Sequence, residues 1–186
     1  MDRLGTTSVE LRIGRSGGLY LNTGTYALPT WVEVALAKDV TSNIESETAD
    51  ADNRSAGLWG ADVVVRLSLS VDFQMIWDTA VAYVLTMYNA AIVGGSSEFA
   101  ILDGKMTDPT ARGIRALCCY GKFSRPEPLR DVMVTDVTIK PTYSVNPPAA
   151  ISGTLLMAAM SPEALAELLQ SEQAADAQRQ GDKVTR

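Results

Sequence analysis

The side chains that could carry chemistry in this chain are its carboxylates and two adjacent cysteines, because the sequence contains no histidine. Without histidine there is no Ser-His-Asp or Cys-His catalysis, no histidine metal ligand and no histidine pH switch. Cys118 and Cys119 lie in a segment with strand character, where neighbouring side chains point to opposite faces, so no disulfide between them is expected. Two thiols alone do not make a zinc site, and we predict no metal and no cofactor.

The densest group of carboxylates lies between Glu45 and Gly60, in the segment ESETADADNRSAGLWG. Asp50 and Asp52 begin like a calcium loop, but Arg54 takes the fifth position and no glutamate closes the loop at the required distance. Paired carboxylates for a glycosidase lack a supporting motif. We expect an exposed loop that contacts a partner, since long structureless loops are usually functional or disordered. The candidate contact residues are Glu45, Glu47, Asp50, Asp52, Leu58 and Trp59.

Composition excludes several other classes of protein. The chain has 186 residues and a formal net charge of -6, which argues against sequence-independent binding to nucleic-acid phosphates. No apolar run approaches the roughly 20 residues that span a bilayer, and the N-terminus lacks the layout of a signal peptide. We therefore expect a soluble protein without a membrane anchor, made and kept in a cytoplasm.

The segment from Asp62 to Trp77 predicts an unusually long strand, and we expect the other elements of the domain to be arranged around it. Its odd positions are all apolar and its even positions are mostly polar, which is the alternation of a half-buried strand. At about 3.3 Å per residue it would span roughly 50 Å. We expect the apolar row to face a core. The polar row, predicted to face away from that core, is Arg66, Ser68, Ser70 and Asp72.

The remaining segments predict a mainly β domain with one flanking helix. Residues 31–36 and 40–45 suggest a hairpin with a turn at Lys38-Asp39, and residues 131–143 suggest a second long strand. A helix is expected over about 79–93, capped by Asp78 or Thr79 and ended by Gly94-Gly95. Shorter strands are expected at 19–21, 97–102 and 114–123.

Both ends of the chain differ in composition from its middle. Residues 1–18 are polar and glycine-rich and predict an N-terminal arm. Residues 19–146 form the predicted β domain. Residues 147–186 form a C-terminal extension, with a short helix that begins at Ser161-Pro162 and a polar tail.

Three stretches of the chain resemble the major tail proteins, or tail tube proteins, of long-tailed bacteriophages. The first is TWVEV at 30–34 followed by KDVT at 38–41, which is similar to a hairpin of that family. The second is SVDFQMIWD at 70–78, similar to its long strand entering a single helix. The third is SRPEPL at 124–129 with VTDVTIKPTYS at 134–144, similar to its closing segment. The resemblance extends over roughly residues 19–146.

The resemblance implies a β-sandwich or barrel-like tail-tube fold, related to the ring protein of type VI secretion. It implies a structural, non-enzymatic subunit whose hexameric rings stack into a tube through which DNA leaves the virion. The implied partners are further copies of the chain, tape-measure proteins and tail-tip or terminator proteins. It further implies a place in the virion tail, assembled in the bacterial host cytoplasm. Under this hypothesis Arg66, Ser68, Ser70 and Asp72 face the lumen, and DNA passes without specific binding.

Two alternatives remain at the level of the sequence. The chain could be the inner-tube subunit of a phage tail-like or secretion injection device, since nothing in the sequence reports on a sheath partner. Alternation alone also permits a monomeric β-barrel that binds a small apolar ligand.

Within the tube hypothesis, the acidic segment reaches the next ring, where Glu47 and Asp50 meet arginines of the N-terminal arm. Those arginines are Arg3, Arg12 and Arg15.

Overall fold

Strands make up about half of the described residues in the computed structural model, which describes residues 17–50, 62–127, 131–170 and 173. The strands are β1 (Gly18–Asn22), β2 (Trp31–Glu33), β3 (Ala37–Asp50), β4 (Asp62–Ile76), β5 (Ser96–Leu102), β6 (Arg112–Ser124), β7 (Val134–Pro141) and β8 (Ala149–Ser152). The helices are α1 (Ala82–Ile92), α2 (Gly153–Ala158) and α3, described over residues 162–170. The prediction of a mainly β fold with one flanking helix and a C-terminal helix is confirmed.

All strand pairs are antiparallel, and the strands form one curled sheet in the order β2-β1-β5-β6-β7-β4-β3, with β8 beside β6. β2 and β3 lie at opposite edges, yet only residues 34–36 join them. The two edges therefore lie close together, and the sheet curls into a half-barrel. The predicted hairpin of residues 31–36 with 40–45 is wrong, because β2 pairs with β1 and β3 pairs with β4. Val34, the residue after β2, donates its backbone N–H to the carbonyl of Leu19.

Opposite faces of the curled sheet carry two separate cores. On the inner face, Val71, Phe73 and Met75 of β4 pack with side chains of α1, β1, β5, β6 and β7. On the outer face, Tyr20 and Leu102 pack beneath α2 and α3. Successive residues of β1 and β5 point into different cores, as strand alternation requires. The outer core covers only the β1–β5 end of the sheet.

The long strand predicted at 62–77 is present, but only half of its apolar row reaches the core. β7 accompanies β4 from Val71 to Ile76, and β4 then runs on with β3 alone. Leu67 is 70% exposed. A register shift opposite Glu47/Thr48 leaves Val65 as the extra residue, so Val64 takes its place on the apolar face. The prediction that all odd positions face the core is therefore wrong for the first half of the strand.

The acidic segment was predicted to be a loop from Glu45 onward. Its first part is instead a strand, because β3 continues through Asp50. Residues 51–61 lie outside the described residues. Lys38-Asp39 is not a hairpin turn. It is part of an irregularity within β3, where Asp39 adopts a φ of 51°, a conformation that Asp tolerates better than most residues.

Three further boundaries differ from the sequence predictions. α1 begins at Ala82 rather than 79, since Asp78 accepts the backbone N–H of Ala80 in a local turn and leaves the helix start without a side-chain cap. Gly94, with a φ of 66°, follows its end as expected. β7 has eight residues rather than the thirteen of 131–143. Tyr143 lies beyond the strand and is 93% exposed.

Candidate assembly surfaces

A polar face extends across four strands of the sheet, on the side away from the inner core. The register aligns Thr41, Asp72, Thr138 and Lys122 in one row across β3, β4, β7 and β6. The predicted lumen-facing residues belong to this face, opposite polar residues of β3: Arg66 pairs with Glu47, Ser68 with Glu45, Ser70 with Asn43 and Asp72 with Thr41.

Cross-strand hydrogen bonds hold the carboxylates of the polar face. Asp72 accepts from the Thr138 hydroxyl at 2.5 Å and from the Asn43 amide at 3.4 Å. Asp136 accepts from the Gln74 amide at 3.1 Å and forms a 3.4 Å ion pair with Lys122. These two groups connect all four strands, so the face is ordered as well as hydrophilic.

Both edges of this four-stranded region are open in the described part of the chain. β3 pairs with β4 on one side only, along its whole length. β6 changes neighbours along its length: its first residues, up to Arg115, lie between β5 and β8, and Cys118 and Cys119 lie between β5 and β7. Residues 122–124, beyond the register shift, pair only with β7. Exposed strand edges are sites where another chain pairs.

The outer part of the β3–β4 ribbon forms an arm, defined here as residues 41–50 and 62–70. Residues 62–70 span roughly 30 Å at about 3.3 Å per residue. One face of the arm continues the polar face, and the other carries uncovered apolar side chains. The exposed apolar residues of that other face are Ile44, Val64 and Leu67. A two-stranded ribbon is marginally stable in water, and an uncovered apolar row usually marks an interaction site.

The predicted inter-ring residues are only partly within the described chain. Glu45, Glu47 and Asp50 are exposed residues of β3. The first two lie on the polar face of the arm, whereas alternation puts Asp50 on the apolar side, opposite Asp62. The described residues do not include Asp52, Leu58, Trp59 or the N-terminal arginines. The pairing of those arginines with Glu47 and Asp50 therefore stays a prediction.

A buried charged network that the sequence analysis missed fixes the loop between β1 and β2. Arg115 forms a 2.6 Å ion pair with Glu98, whose other oxygen accepts from Asn22 at 2.6 Å. The same guanidinium donates to the Tyr26 carbonyl at 2.8 Å and lies 3.9 Å from the centre of the Tyr26 ring. The signal was a charged residue inside the otherwise apolar run GIRALCC, which indicates a paired buried charge.

Aromatic contacts attach the open end of β6 to α1. Trp77, Tyr88 and Phe123 form edge-to-face or tilted pairs with centroid distances of 5.1–6.4 Å. Arg125, just after β6, lies 4.9 Å from the centre of the Trp77 ring and forms a 3.0 Å ion pair with Glu127. The open edge of β6 is therefore held in place by the helix beside it.

The cysteines have separate environments, as the alternation predicted. Cys118 is buried in the inner core, where desolvation raises the pKa of its thiol to about 12. Cys119 lies on the other face and is half-buried.

The described residues contain no group of three or more His, Cys, Asp or Glu side chains that could hold a metal ion. None of the described helices is long and apolar enough to cross a bilayer.

Solved structures with a similar fold come from tail assemblies. The tail of an empty gene transfer agent particle, refined with C6 symmetry, gives a TM-score of 0.59 at 11% identity and covers 76% of this chain and 98% of that one. The virion of the native gene transfer agent gives a TM-score of 0.59 at 10% identity and covers 76% of this chain and 100% of that one. The SPP1 tail tube gives a TM-score of 0.60 at 6% identity and covers 76% of this chain and 80% of that one. The fold of this chain is thus the fold seen in tail tubes. No protein-family profile matches the chain, and no curated protein is significantly similar in sequence.

Proposed function

We propose that this chain is the structural subunit of a phage tail tube, or of the tube of a closely related tail-like particle. Its copies form hexameric rings, and the rings stack around a channel through which DNA leaves. The observation that carries the proposal is the polar face on β3, β4, β7 and β6, bounded by two open strand edges. The role is mechanical and needs no catalytic group.

Ring closure uses the two open edges. β3 of one copy pairs with residues 122–124 of β6 in the next, which is a head-to-tail contact of the kind that closes a ring. The four polar strands of each copy then join one continuous sheet around the lumen. The C6 symmetry of a tail with this fold supports six copies.

The lumen surface suits passage of DNA rather than its retention. Four carboxylates lie on the described polar face with four basic residues, Lys38, Arg66, Lys122 and Lys140. Asp72 and Asp136 already accept hydrogen bonds from neighbouring strands. A surface of mixed sign releases few counterions from DNA and so binds it weakly. The predicted partners, tape-measure and tail-tip or terminator proteins, act at the ends and inside of the tube. Assembly takes place in the host cytoplasm before the tube joins the virion.

One observation weighs against the monomeric ligand-binding barrel: the described sheet is open between β2 and β3. Side chains of α1 fill one part of the inner face, and a recess of about 970 Å³ remains beside them, lined in part by Leu19, Val34 and Leu69. The related alternative of an injection device keeps the same subunit role. Neighbouring genes distinguish the two particles, because a sheath gene accompanies a contractile device and a tape-measure gene accompanies a phage tail.

Electron microscopy of the purified protein tests the proposal, with proline substitutions in β3 as the structural probe. Adjacent residues of an edge strand direct their backbone N–H groups to opposite sides. Of the two variants Asn43→Pro and Ile44→Pro, one therefore loses a hydrogen bond to β4. The other loses only the N–H that points outward to a neighbouring copy. We expect rings or tubes for the wild type. The proline variant with the smaller loss in melting temperature should remain monomeric. Persistent monomers of the wild type, also with tail-tip proteins present, would contradict the proposal.

A further inference from the structure

The two open edges of the polar face carry side chains of opposite charge. At the β6 edge, Lys122 lies on the polar face with its side chain 56% exposed. At the β3 edge, Glu45 and Glu47 lie on the same face and are both exposed. Glu47 is opposite Arg66, whereas Glu45 is opposite Ser68 and forms no ion pair with any described residue. The carboxylate of Glu45 is therefore available to a cation of another copy.

The directions of the two edge strands are compatible with pairing between copies. Each of β3, β4, β7 and β6 is antiparallel to its neighbour, so β3 and β6 run in opposite directions. Rotation about the axis of a ring leaves the direction of each strand along that axis unchanged. β3 of one copy is therefore antiparallel to β6 of the next, and the joined sheet is antiparallel throughout.

Backbone hydrogen bonds define the hand of this four-stranded region. Trp77 donates its N–H to Met133, next to β7, whereas Ile76 donates its N–H to Leu36, next to β3. The odd residues of β4 from Val71 onward point their side chains into the inner core. Because the residues are L-amino acids, β7 then lies to the right of β4 and β3 to its left, when the sheet is viewed from the core with β4 running upward.

Closing such a sheet around a lumen shifts the register between copies by a defined amount. Strands of closed barrels tilt by about 35–45°, in the sense that their right-handed twist imposes. With strands about 4.8 Å apart and residues about 3.3 Å apart, a step across four strands at this tilt shifts the register by about four to six residues.

The direction of this shift follows from the hand of the sheet. The row through Thr41 and Lys122 descends as it continues to the right, so it meets β3 of the next copy below Thr41. β3 runs downward in this view, and the residues below Thr41 are those that follow it in the chain. Four residues further is Glu45 and six residues further is Glu47, so a carboxylate lies opposite Lys122 at either end of the range.

We propose that Lys122 of each copy in the ring lies directly opposite Glu45 of the next copy and forms an ion pair with it. This inference rests on the proposed function and assigns the register of its ring contact. Glu45 is chosen over Glu47 because Glu47 already faces Arg66 of its own copy. The ammonium group of Lys122 has three donors, so it can keep its 3.4 Å contact with Asp136 as well.

The backbone of both edges is compatible with this register. Glu45 pairs with an even-numbered residue of β4, whose N–H points toward β3, so Ile44 directs its own N–H to the open side. The same alternation across β4 and β7 directs the N–H of Phe123 outward from β6. Ile44 and Phe123 of adjacent copies then form a hydrogen-bonded pair, and Lys122 with Glu45 is the neighbouring non-hydrogen-bonded pair. Side chains of such a pair lie closest, with Cβ atoms about 4.5–5.5 Å apart.

Charge reversal tests the ion pair in the full-length protein. Glu45→Lys and Lys122→Glu each place like charges opposite each other, so each should need at least about tenfold more protein than the wild type to form rings. The double variant Glu45→Lys/Lys122→Glu restores opposite charges and should form rings near the wild-type concentration. Electron microscopy over a series of protein concentrations measures this, and melting temperatures of the subunits check that each variant folds.

A matched double variant controls for net charge. Glu45→Lys/Lys140→Glu has the same net charge as Glu45→Lys/Lys122→Glu, and Lys140 lies on the same polar face but on β7, a central strand of the sheet. It should remain as impaired as Glu45→Lys alone. Recovery by both double variants alike, or by neither, would overturn the ion pair.

Disulfide cross-linking measures the register directly. Glu45→Cys and Lys122→Cys are combined in one chain with Cys119→Ser. Within a subunit the two positions are three strand spacings apart, about 14 Å, which is too far for a disulfide. Oxidised rings should therefore give a ladder of linked chains that ends at six, the number of copies in a ring of C6 symmetry. Asn43→Cys or Glu47→Cys in place of Glu45→Cys should give much less linkage, because each is shifted by two residues.

The outcomes separate the register from the ring itself. If rings form and the Asn43→Cys or Glu47→Cys chain is linked more strongly than the Glu45→Cys chain, this register is wrong although the two edges still meet. If rings form and none of the three chains is linked, the two edges do not pair and the contact is wrong although the protein still builds rings. A wild type that forms no rings contradicts the proposed function and this contact together.

Discussion

The phenolic oxygen of Tyr83 accepts a 3.0 Å hydrogen bond from the backbone N–H of Leu36. Leu36 belongs to the short connection between β2 and β3, at the two edges of the sheet, and Tyr83 belongs to α1. The helix therefore holds the connection that brings the edges of the curl together. Burial raises the pKa of Tyr83 above its ordinary value of 10.0, so the phenol stays neutral near neutral pH.

Tyr83→Phe should destabilise the subunit by about 1 kcal/mol, because the part-buried N–H of Leu36 loses its acceptor. For a chain of this size that corresponds to a fall of roughly 2–4 °C in melting temperature. Tyr143→Phe is the control, since Tyr143 is almost fully exposed and water replaces its partner. Equal melting temperatures for Tyr83→Phe and wild type would show that the bond does not hold the connection.

The Glu98–Arg115 pair should be costly to break and inexpensive to replace. Arg115→Met leaves a buried carboxylate without its cation and should destabilise by roughly 3–5 kcal/mol. Adding Glu98→Leu should recover much of that loss, because both charges are then removed. Lys122→Gln, in an exposed ion pair with Asp136, should cost no more than about 1 kcal/mol. Urea unfolding of the four proteins measures these values, and a double variant less stable than Arg115→Met would refute the account.

Alkaline pH should destabilise the fold through Cys118. Burial raises the pKa of its thiol from 9.0 to about 12, so the unfolded chain loses this proton first as pH rises. The contribution is fully present below pH 9 and is lost between pH 9 and about 12. Tyr120 acts in the same direction, because burial raises its pKa from 10.0 to about 12.

Cys118→Val should therefore reduce the loss of unfolding free energy between pH 8 and pH 11, an expectation checked by urea unfolding at each pH. Cys119→Ser serves as the matched control and should change the profile much less than Cys118→Val, because burial contributes more than Cys119 to the raised pKa of the Cys118 thiol. A pH profile of Cys118→Val that superimposes on the wild type would assign the alkaline sensitivity to other groups.

Assignment of the polar face to the lumen predicts a size-dependent reactivity. In a Cys119→Ser background, Ser70→Cys in assembled tubes should react with a small maleimide but only slowly with a maleimide on a large polyethylene glycol, because the channel restricts entry. Leu155→Cys on α2 should react with both, as should either cysteine in unassembled subunits. Equal rates for the large reagent at Ser70→Cys and Leu155→Cys in tubes would place the polar face outside.

The sequence by itself indicated the alternation of faces along the strands, because alternation is a local property, but it did not reveal the extra residue that shifts the first part of β4. It indicated the polar row Arg66, Ser68, Ser70 and Asp72 and the end of α1 at Gly94. These features depend on residues within a few positions of each other, where side-chain periodicity and backbone preferences act directly.

Only the tertiary structure decided which strands are neighbours. Alternation in residues 31–45 is equally compatible with a hairpin and with two strands at opposite edges, and burial of Trp31 in the outer core selected the second. The extra residue Val65, the pairing of Glu98 with Arg115 and the bare half of the β4 row likewise depend on contacts between segments distant in the chain. Periodicity specifies a face but not the neighbour that covers it.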